Sequence, residues 1–143
     1  MDFKGAEIRK IAPVNAADPK GLTYEWCKGE QGMQVTVLER KRGVVFGNHY
    51  HTGADPSRKP EKHFLAKGKV KVKVFNGFTG QREEFVADEG SEIIIWPGVL
   101  HSFEALEDSV LVDYRCTVFD KNSTDTHTAD TYDSYVKSHK HSF

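Results

Sequence analysis

Residues 69–75 read Lys-Val-Lys-Val-Lys-Val-Phe, and no other stretch of the chain restricts the fold as tightly. Strict alternation has the two-residue period of a strand with one wet face and one buried face. Val70, Val72 and Val74 therefore point into a core, and Lys69, Lys71 and Lys73 point to solvent. Asn76-Gly77 and Thr79-Gly80 follow, with the composition of a hairpin connection, and residues 82–87 read as the return strand. The same period recurs upstream, where Met33, Val35 and Val37 share one face and Gln34, Thr36 and Leu38 the other. Residues 43–51, 61–66 and 109–119 are β-rich, and 92–96 form a buried strand stopped by Pro97-Gly98. Residues 52–60 hold Gly53, Pro56 and Pro60 and read as a loop. Helical periodicity is weak except for a short stretch over 131–139, and no repeat of 20–50 residues is present. Many short strands with turn signals between them predict an all-β sandwich or small barrel.

The 143 residues fit one domain. Residues 1–32 are weakly patterned and predict an N-terminal arm or edge strand; 33–119 carry the barrel; 120–143 are polar and predict an exposed C-terminal tail. Twenty Lys and Arg against 21 Asp and Glu leave no charge footprint for nucleic acid or an acidic membrane surface. No apolar run approaches a membrane span, and Met1-Asp2-Phe3-Lys4-Gly5 does not read as a signal peptide. Two cysteines, Cys27 and Cys116, are too few for a disulfide scaffold and point to a reducing, cytoplasmic setting. Cys116 alternates with Tyr114 and Val118, as a buried core thiol would.

Histidine is the unusual component, with seven copies. On a strand, residues i and i+2 face the same side, so His49 and His51 present both imidazoles together, while Tyr50 points away as a structural residue. Glu61 opens the next strand and can face them. His63 follows Glu61 by two residues and shares its side, as a base or as a supporting residue. His101 comes three residues after Gly98. His127, His139 and His141 fall in the polar tail. Arg40, Lys41 and Arg42 precede the first histidines, as a solvated turn or as a phosphate contact.

The segments from Gly43 to Gly68 and from Gly90 to His101 resemble the two signature motifs of the cupin superfamily. In the first, Gly43, five residues, His49-Tyr50-His51, Glu61, six residues and Gly68 keep the family's spacing except that nine residues separate His51 from Glu61, a longer loop. In the second, Gly90, Gly98 and His101 are in register, with Trp96 at the family's proline position and Ala105 at its asparagine position. The resemblance implies a single-domain cupin jelly-roll barrel in which His49, His51, Glu61 and His101 bind one divalent metal ion. Three imidazoles and a carboxylate suit zinc, iron, nickel, manganese or cobalt. A metal-free cupin using the same histidines for acid–base work is the alternative.

Longer stretches are more specific. Residues 47–51 (GNHYH), 61–72 (EKHFLAKGKVKV), 79–85 (TGQREEF), 96–103 (WPGVLHSF) and 118–132 (VFDKNSTDTHTADTY) look like the C-terminal cupin domain of CapF-type capsular-polysaccharide enzymes, to which small sugar-nucleotide epimerase and ketoisomerase cupins are related. That resemblance implies zinc and epimerisation next to the ketone of a nucleotide-linked 4-keto-6-deoxy sugar, with His63 as the candidate base. It also implies a standalone cupin working with a separate reductase. Tyr24 and Tyr114 are candidates for the second proton-transfer group. A homodimer is expected, because jelly-roll edges need covering. Two other classes stay open: a metal-dependent dioxygenase or other oxidoreductase, for which iron suits best, and a non-enzymatic sugar- or metabolite-binding cupin.

Overall fold

The computed structural model describes residues 3–140 except 15 and 18. Its strands are β1 (Ala6–Lys10), β2 (Gln34–Arg40), β3 (Val45–Tyr50), β4 (Glu61–Lys67), β5 (Lys69–Asn76), β6 (Gln81–Asp88), β7 (Ser91–Ile95), β8 (Val99–Ala105), β9 (Ser109–Arg115) and β10 (His127–Thr128). Short 3₁₀ turns occupy Pro56–Arg58 and Ala129–Thr131, and one helix, α1, spans Tyr132–Ser138. The strands form two five-stranded antiparallel sheets, ordered β1-β7-β4-β9-β2 and β10-β3-β8-β5-β6, which close face to face as a cupin jelly roll.

The core follows the alternation. Val70, Val72 and Val74 of β5 are buried together with Val99 and Phe103 of neighbouring β8 and with Leu65, Ile93, Ile95 and Leu111 from the other sheet. Each such aliphatic side chain contributes about 1.5–3 kcal/mol on burial, so this layer holds the two sheets together. The apolar core fills one part of the barrel and leaves the part between β2, β3, β4, β8 and β9 for polar side chains.

Several expectations change. β8 has no counterpart among the expected strands, because its inward phase of Val99, His101, Phe103 and Ala105 includes a histidine that breaks the apolar pattern. On β2 the aliphatic face is the outer one, with Val35 and Val37 more than 60% exposed, while Gln34, Thr36 and Leu38 line the interior. Cys116 is half-buried at the end of β9, and Asp113 and Arg115 hold the buried phase instead. The N-terminal segment adds β1 to the edge of its own sheet, and Tyr24 and Trp26 cover Phe64 on the sheet's outer face.

The polar C-terminal stretch is not an exposed tail. Residues 125–138 wrap back over β3, where β10 pairs His127 with Tyr50 and Thr128 with His49. Tyr132 and Val136 of α1 are buried with Tyr50. The Tyr132 hydroxyl donates to the Gly98 carbonyl at 2.6 Å and accepts from the Gly77 amide at 2.7 Å. Spaced aromatics and hydrogen bonds anchor a segment that a hydropathy reading scores as solvated. No helix among the described residues is long and apolar enough to cross a membrane.

Candidate metal centre

A β-bulge aims the first two histidines. Phe46 pairs with Phe103 and His49 with His101, so three steps on β3 match two on β8. Phe46 already faces the interior, and plain alternation from it would turn His49 and His51 outward. The extra residue at Gly47-Asn48 resets the phase, and Gly47 takes a left-handed φ of 70° that suits glycine. His49 and His51 then point inward, and Tyr50 packs outward against Tyr132, Tyr135 and His127. The Pro97-Gly98 turn starts β8 so that His101 faces His49, and the Gly98 amide donates to the His51 carbonyl at 2.8 Å. β4 opens with Glu61 on the opposite wall.

The structure brings together all four expected ligands. One donor atom each from His49, His51, Glu61 and His101 falls within 4.8 Å of the others. The hydrogen bonds fix which nitrogen faces inward. His51 Nδ1 donates to the Asp125 main-chain carbonyl at 2.6 Å, and His101 Nδ1 donates to the Val99 carbonyl at 3.0 Å. Each neutral ring therefore turns the lone pair of Nε2 inward. Yet His51 Nε2 is 2.8 Å and His101 Nε2 3.1 Å from the same acceptor, Glu61 Oε2. The Nε2 atoms of His49 and His101 are buried without a hydrogen bond. Lone pairs converging on a carboxylate oxygen repel unless a proton or a cation lies among them. The donor set and these orphaned nitrogens fit a divalent cation, with the Nδ1 bonds holding the rings in the ligating tautomer.

His63 sits beside this group. Its Nε2 donates to Glu61 Oε1 at 2.6 Å, and its Nδ1 has no partner. Burial opposes the charged imidazole of His63, but the Glu61 carboxylate beside it outweighs burial and raises its pKa. Burial pushes His49 down to about 3, and neighbouring His101 adds to this, so His49 is neutral at ordinary pH. Burial acts to raise the Glu61 carboxyl, but the imidazoles of His101, His51 and His63 together hold it well below the usual carboxylate range.

The four residues and His63 line a cavity of about 320 Å³, together with Arg40, Phe46, Arg58, Phe103, Asp113 and Arg115. An adjoining cavity of about 420 Å³, between residues 52–58 and 115–127, shares Arg58, Arg115, Phe119 and Thr126 with it. Arg58 contacts Asp113 through both terminal nitrogens at 3.2 Å, and Arg115 meets Asp55 at 2.6 Å. Asp55, Arg58, Asp113, Arg115 and Asp125 are site residues that sequence reasoning missed. The long 52–60 loop supplies the first two, and buried charge on the inward phase of a strand was the available signal for Asp113 and Arg115.

Other candidates fall elsewhere. Tyr24 stacks on Phe64 outside the barrel, and the Tyr114 hydroxyl donates to the Gln31 carbonyl, so neither reaches the cavity. Arg40 lies over the Phe46 ring at the cavity mouth, whereas the Arg42 amide donates to the Asp108 carboxylate at 2.9 Å. His127 bonds the Asp125 carboxylate, His139 ends α1 against the Tyr135 carbonyl, and His141 lies outside the described residues.

Residues 16–132 match the family described as the polysaccharide biosynthesis C-terminal domain. No curated protein matches the chain. Among solved structures, the sugar 3,4-ketoisomerase QdtA from Thermoanaerobacterium thermosaccharolyticum, in complex with TDP, aligns with a TM-score of 0.72 at 15% identity, covering 95% of this chain and 97% of that one. The 3′-monoepimerase ChmJ from Streptomyces bikiniensis, in complex with dTDP-quinovose, aligns at 0.70 and 19% identity over 90% of this chain and 71% of that one. The dTDP-4-dehydrorhamnose 3,5-epimerase from Sulfolobus tokodaii aligns at 0.63 and 22% identity over 85% and 76%.

Proposed function

Given that the chain belongs to the polysaccharide biosynthesis C-terminal domain family, we propose that it is a metal-dependent epimerase or isomerase acting next to the ketone of a nucleotide-linked 4-keto-6-deoxy sugar. One observation carries this reading: the inward lone pairs of His51 and His101, the His49 imidazole and the Glu61 carboxylate share a cavity with His63, whose Nδ1 is buried without a partner. The solved structures that share the fold include enzymes named as a 3′-monoepimerase, a dTDP-4-dehydrorhamnose 3,5-epimerase and a sugar 3,4-ketoisomerase, which supports the reading.

A divalent cation such as zinc, held by those four residues, supplies Lewis-acid polarisation of a ketone oxygen. The chain's own groups do the rest. The bond to Glu61 Oε1 keeps the His63 proton on Nε2, which leaves Nδ1 as the nitrogen that takes the proton from the carbon next to the carbonyl. Burial of the site excludes water that would otherwise quench the developing enolate charge. Arg58 and Arg115 stand between the cavity and its neighbour, and Arg40 lies at the mouth of the first, where a sugar-linked diphosphate needs positive charge.

The same reading includes a homodimer and a reductase that consumes the product. β2 lies at an open sheet edge and exposes Val35 and Val37, with Met33 exposed just before it, an apolar edge suited to a second copy. Light scattering coupled to size exclusion tests the dimer.

Incubation of zinc-loaded protein in deuterium oxide with dTDP- or UDP-4-keto-6-deoxyglucose tests the reaction. Deuterium entering the carbon next to the ketone is expected, and no incorporation into either sugar overturns the assignment. Elemental analysis of purified protein, repeated on His49→Ala, tests the metal. Dominant iron with oxygen uptake would favour the oxidoreductase class instead, because zinc has no redox chemistry.

A further inference from the structure

Asp125 lies far from Glu61 in sequence, yet it holds one of the proposed metal ligands. Its carboxylate is buried, and five donors surround it. Oδ1 accepts from the Thr52 amide at 2.9 Å, the Thr52 hydroxyl at 2.7 Å and His127 Nε2 at 3.1 Å. Oδ2 accepts from the Gly53 amide at 2.8 Å and the Asp55 amide at 3.2 Å. Three of these donors are main-chain amides of the turn that follows His51, so the carboxylate closes that turn like a bound anion. The closure brings the carbonyl of the same residue to 2.6 Å from His51 Nδ1.

We propose that Asp125 is a positioning residue for metal binding: its side chain clamps the turn after His51, and its main-chain carbonyl then fixes the His51 ring with Nε2 facing the cavity. This deepens the metal-dependent reading and rests on it. The chemistry is directional. A carbonyl only accepts, so Nδ1 must carry the proton, and the lone pair must sit on Nε2. The Gly98 amide holds the His51 carbonyl from the other side, which leaves the ring as the movable part. Without the clamp, the tautomer with the proton on Nε2 competes, and that form cannot ligate through Nε2. The ring partners of metal-bound histidines tune affinity by about 10–100-fold, so a residue that delivers such a partner has leverage of that size.

Asp125→Asn tests this in the full chain. An amide group can satisfy the donors on one side of the carboxylate but puts its own N–H against those on the other. Zinc affinity, measured by competition with a chromophoric chelator, is expected to fall about 10–100-fold. Nitrogen-15 shifts of labelled histidine in the metal-free protein are expected to show His51 protonated on Nδ1 in the parent and mixed between nitrogens in the variant. Unchanged affinity with an unchanged tautomer overturns the proposal, and so does a lower melting temperature with both preserved, which would make Asp125 structural alone. Should Asp125→Asn fail to fold, Thr52→Val removes one donor of the five. A smaller loss of affinity together with tautomer mixing supports the clamp, and no change in either overturns it. Should the parent bind no zinc, the metal reading falls and the tautomer comparison alone decides the role of Asp125.

Discussion

His63 and Glu61 sit two residues apart on β4, and His63 Nε2 donates to Glu61 Oε1 at 2.6 Å while Oε2 faces His51 and His101. One carboxylate thus serves two groups of imidazoles with separate oxygens. A proton-transfer role for His63 then separates cleanly from a ligand role. His63→Ala is expected to keep near-stoichiometric zinc and to lose deuterium exchange by about 10²–10⁴-fold, the usual contribution of a positioned base. Glu61→Gln is expected to lose both, because a neutral amide is a weaker cation ligand and has only one acceptor oxygen where Glu61 uses two. Parallel metal analysis and exchange rates on the two variants check this; equal loss of metal in both would remove His63 from the base role.

Zinc is expected to stabilise the fold in proportion to its occupancy. The Nε2 atoms of His49 and His101 are buried and unpaired without it, a penalty of about 1–3 kcal/mol for each such group. A cation at a hundredfold excess over its dissociation constant stabilises the native state by about 2.7 kcal/mol. For a domain of this length that is a rise of about 5–10 °C in Tm. Differential scanning fluorimetry with zinc and after chelation reads the shift directly. His49→Ala is expected to abolish it without lowering the Tm of the metal-free protein by more than the loss of packing, because that variant also removes an orphaned nitrogen.

The proposed ligands were legible because the chain spells them locally. His49 and His51 share a strand phase, Gly43 and Gly68 bound the first motif, Gly90 opens the second, and Pro97-Gly98 announces the turn before His101. The partners of those ligands were not legible. Asp125 meets His51 across 74 positions, from a stretch whose Asp, Ser and Thr content reads as solvated. Asp113 and Arg115 sit in the buried phase of β9, where a hydropathy reading places the apolar residues Val112 and Tyr114 instead. In each case the inside of the barrel is polar near the candidate site, so the rule that apolar side chains mark the inner face inverts there. The same inversion hides β8 and turns Val35 and Val37 outward on β2.

Acid is expected to loosen the C-terminal brace before the barrel unfolds. Burial works to raise the Asp125 carboxyl, but its bonds from the Thr52 side chain and from the amides of Thr52, Asp55 and Gly53 lower it to about 2. A carboxyl depressed in the folded state contributes stability above its unfolded value near 4, and that contribution disappears as pH falls towards 2. The parent is therefore expected to lose Tm between about pH 4 and pH 2 more steeply than Asp125→Asn, which has no such carboxyl to protonate. Melting curves across that range, at constant ionic strength and without metal, compare the two slopes. Equal slopes would mean that other carboxyls govern the acid limit.

The bulge in β3 is the device that turns two histidines inward, so its geometry bears on both stability and metal binding. Gly47 has a φ of 70°, where an L-residue with a Cβ loses about 1–2 kcal/mol. A Cβ there would also stand 3.0 Å from the Phe103 ring, which is stacked on Phe46 and has little room to withdraw. Gly47→Ala is expected to lower Tm by several degrees and to weaken zinc binding, because relief of the contact shifts the backbone that carries His49. Gly80 has a similar φ of 76° with open space where a Cβ would stand, so Gly80→Ala isolates the backbone cost alone. Destabilisation in both variants, larger in Gly47→Ala, with weaker zinc binding only there, is the outcome that ties the bulge to the site. If the two variants bind zinc equally well, the His49 ring adapts to a displaced strand, and the bulge sets the fold without setting the ligand geometry.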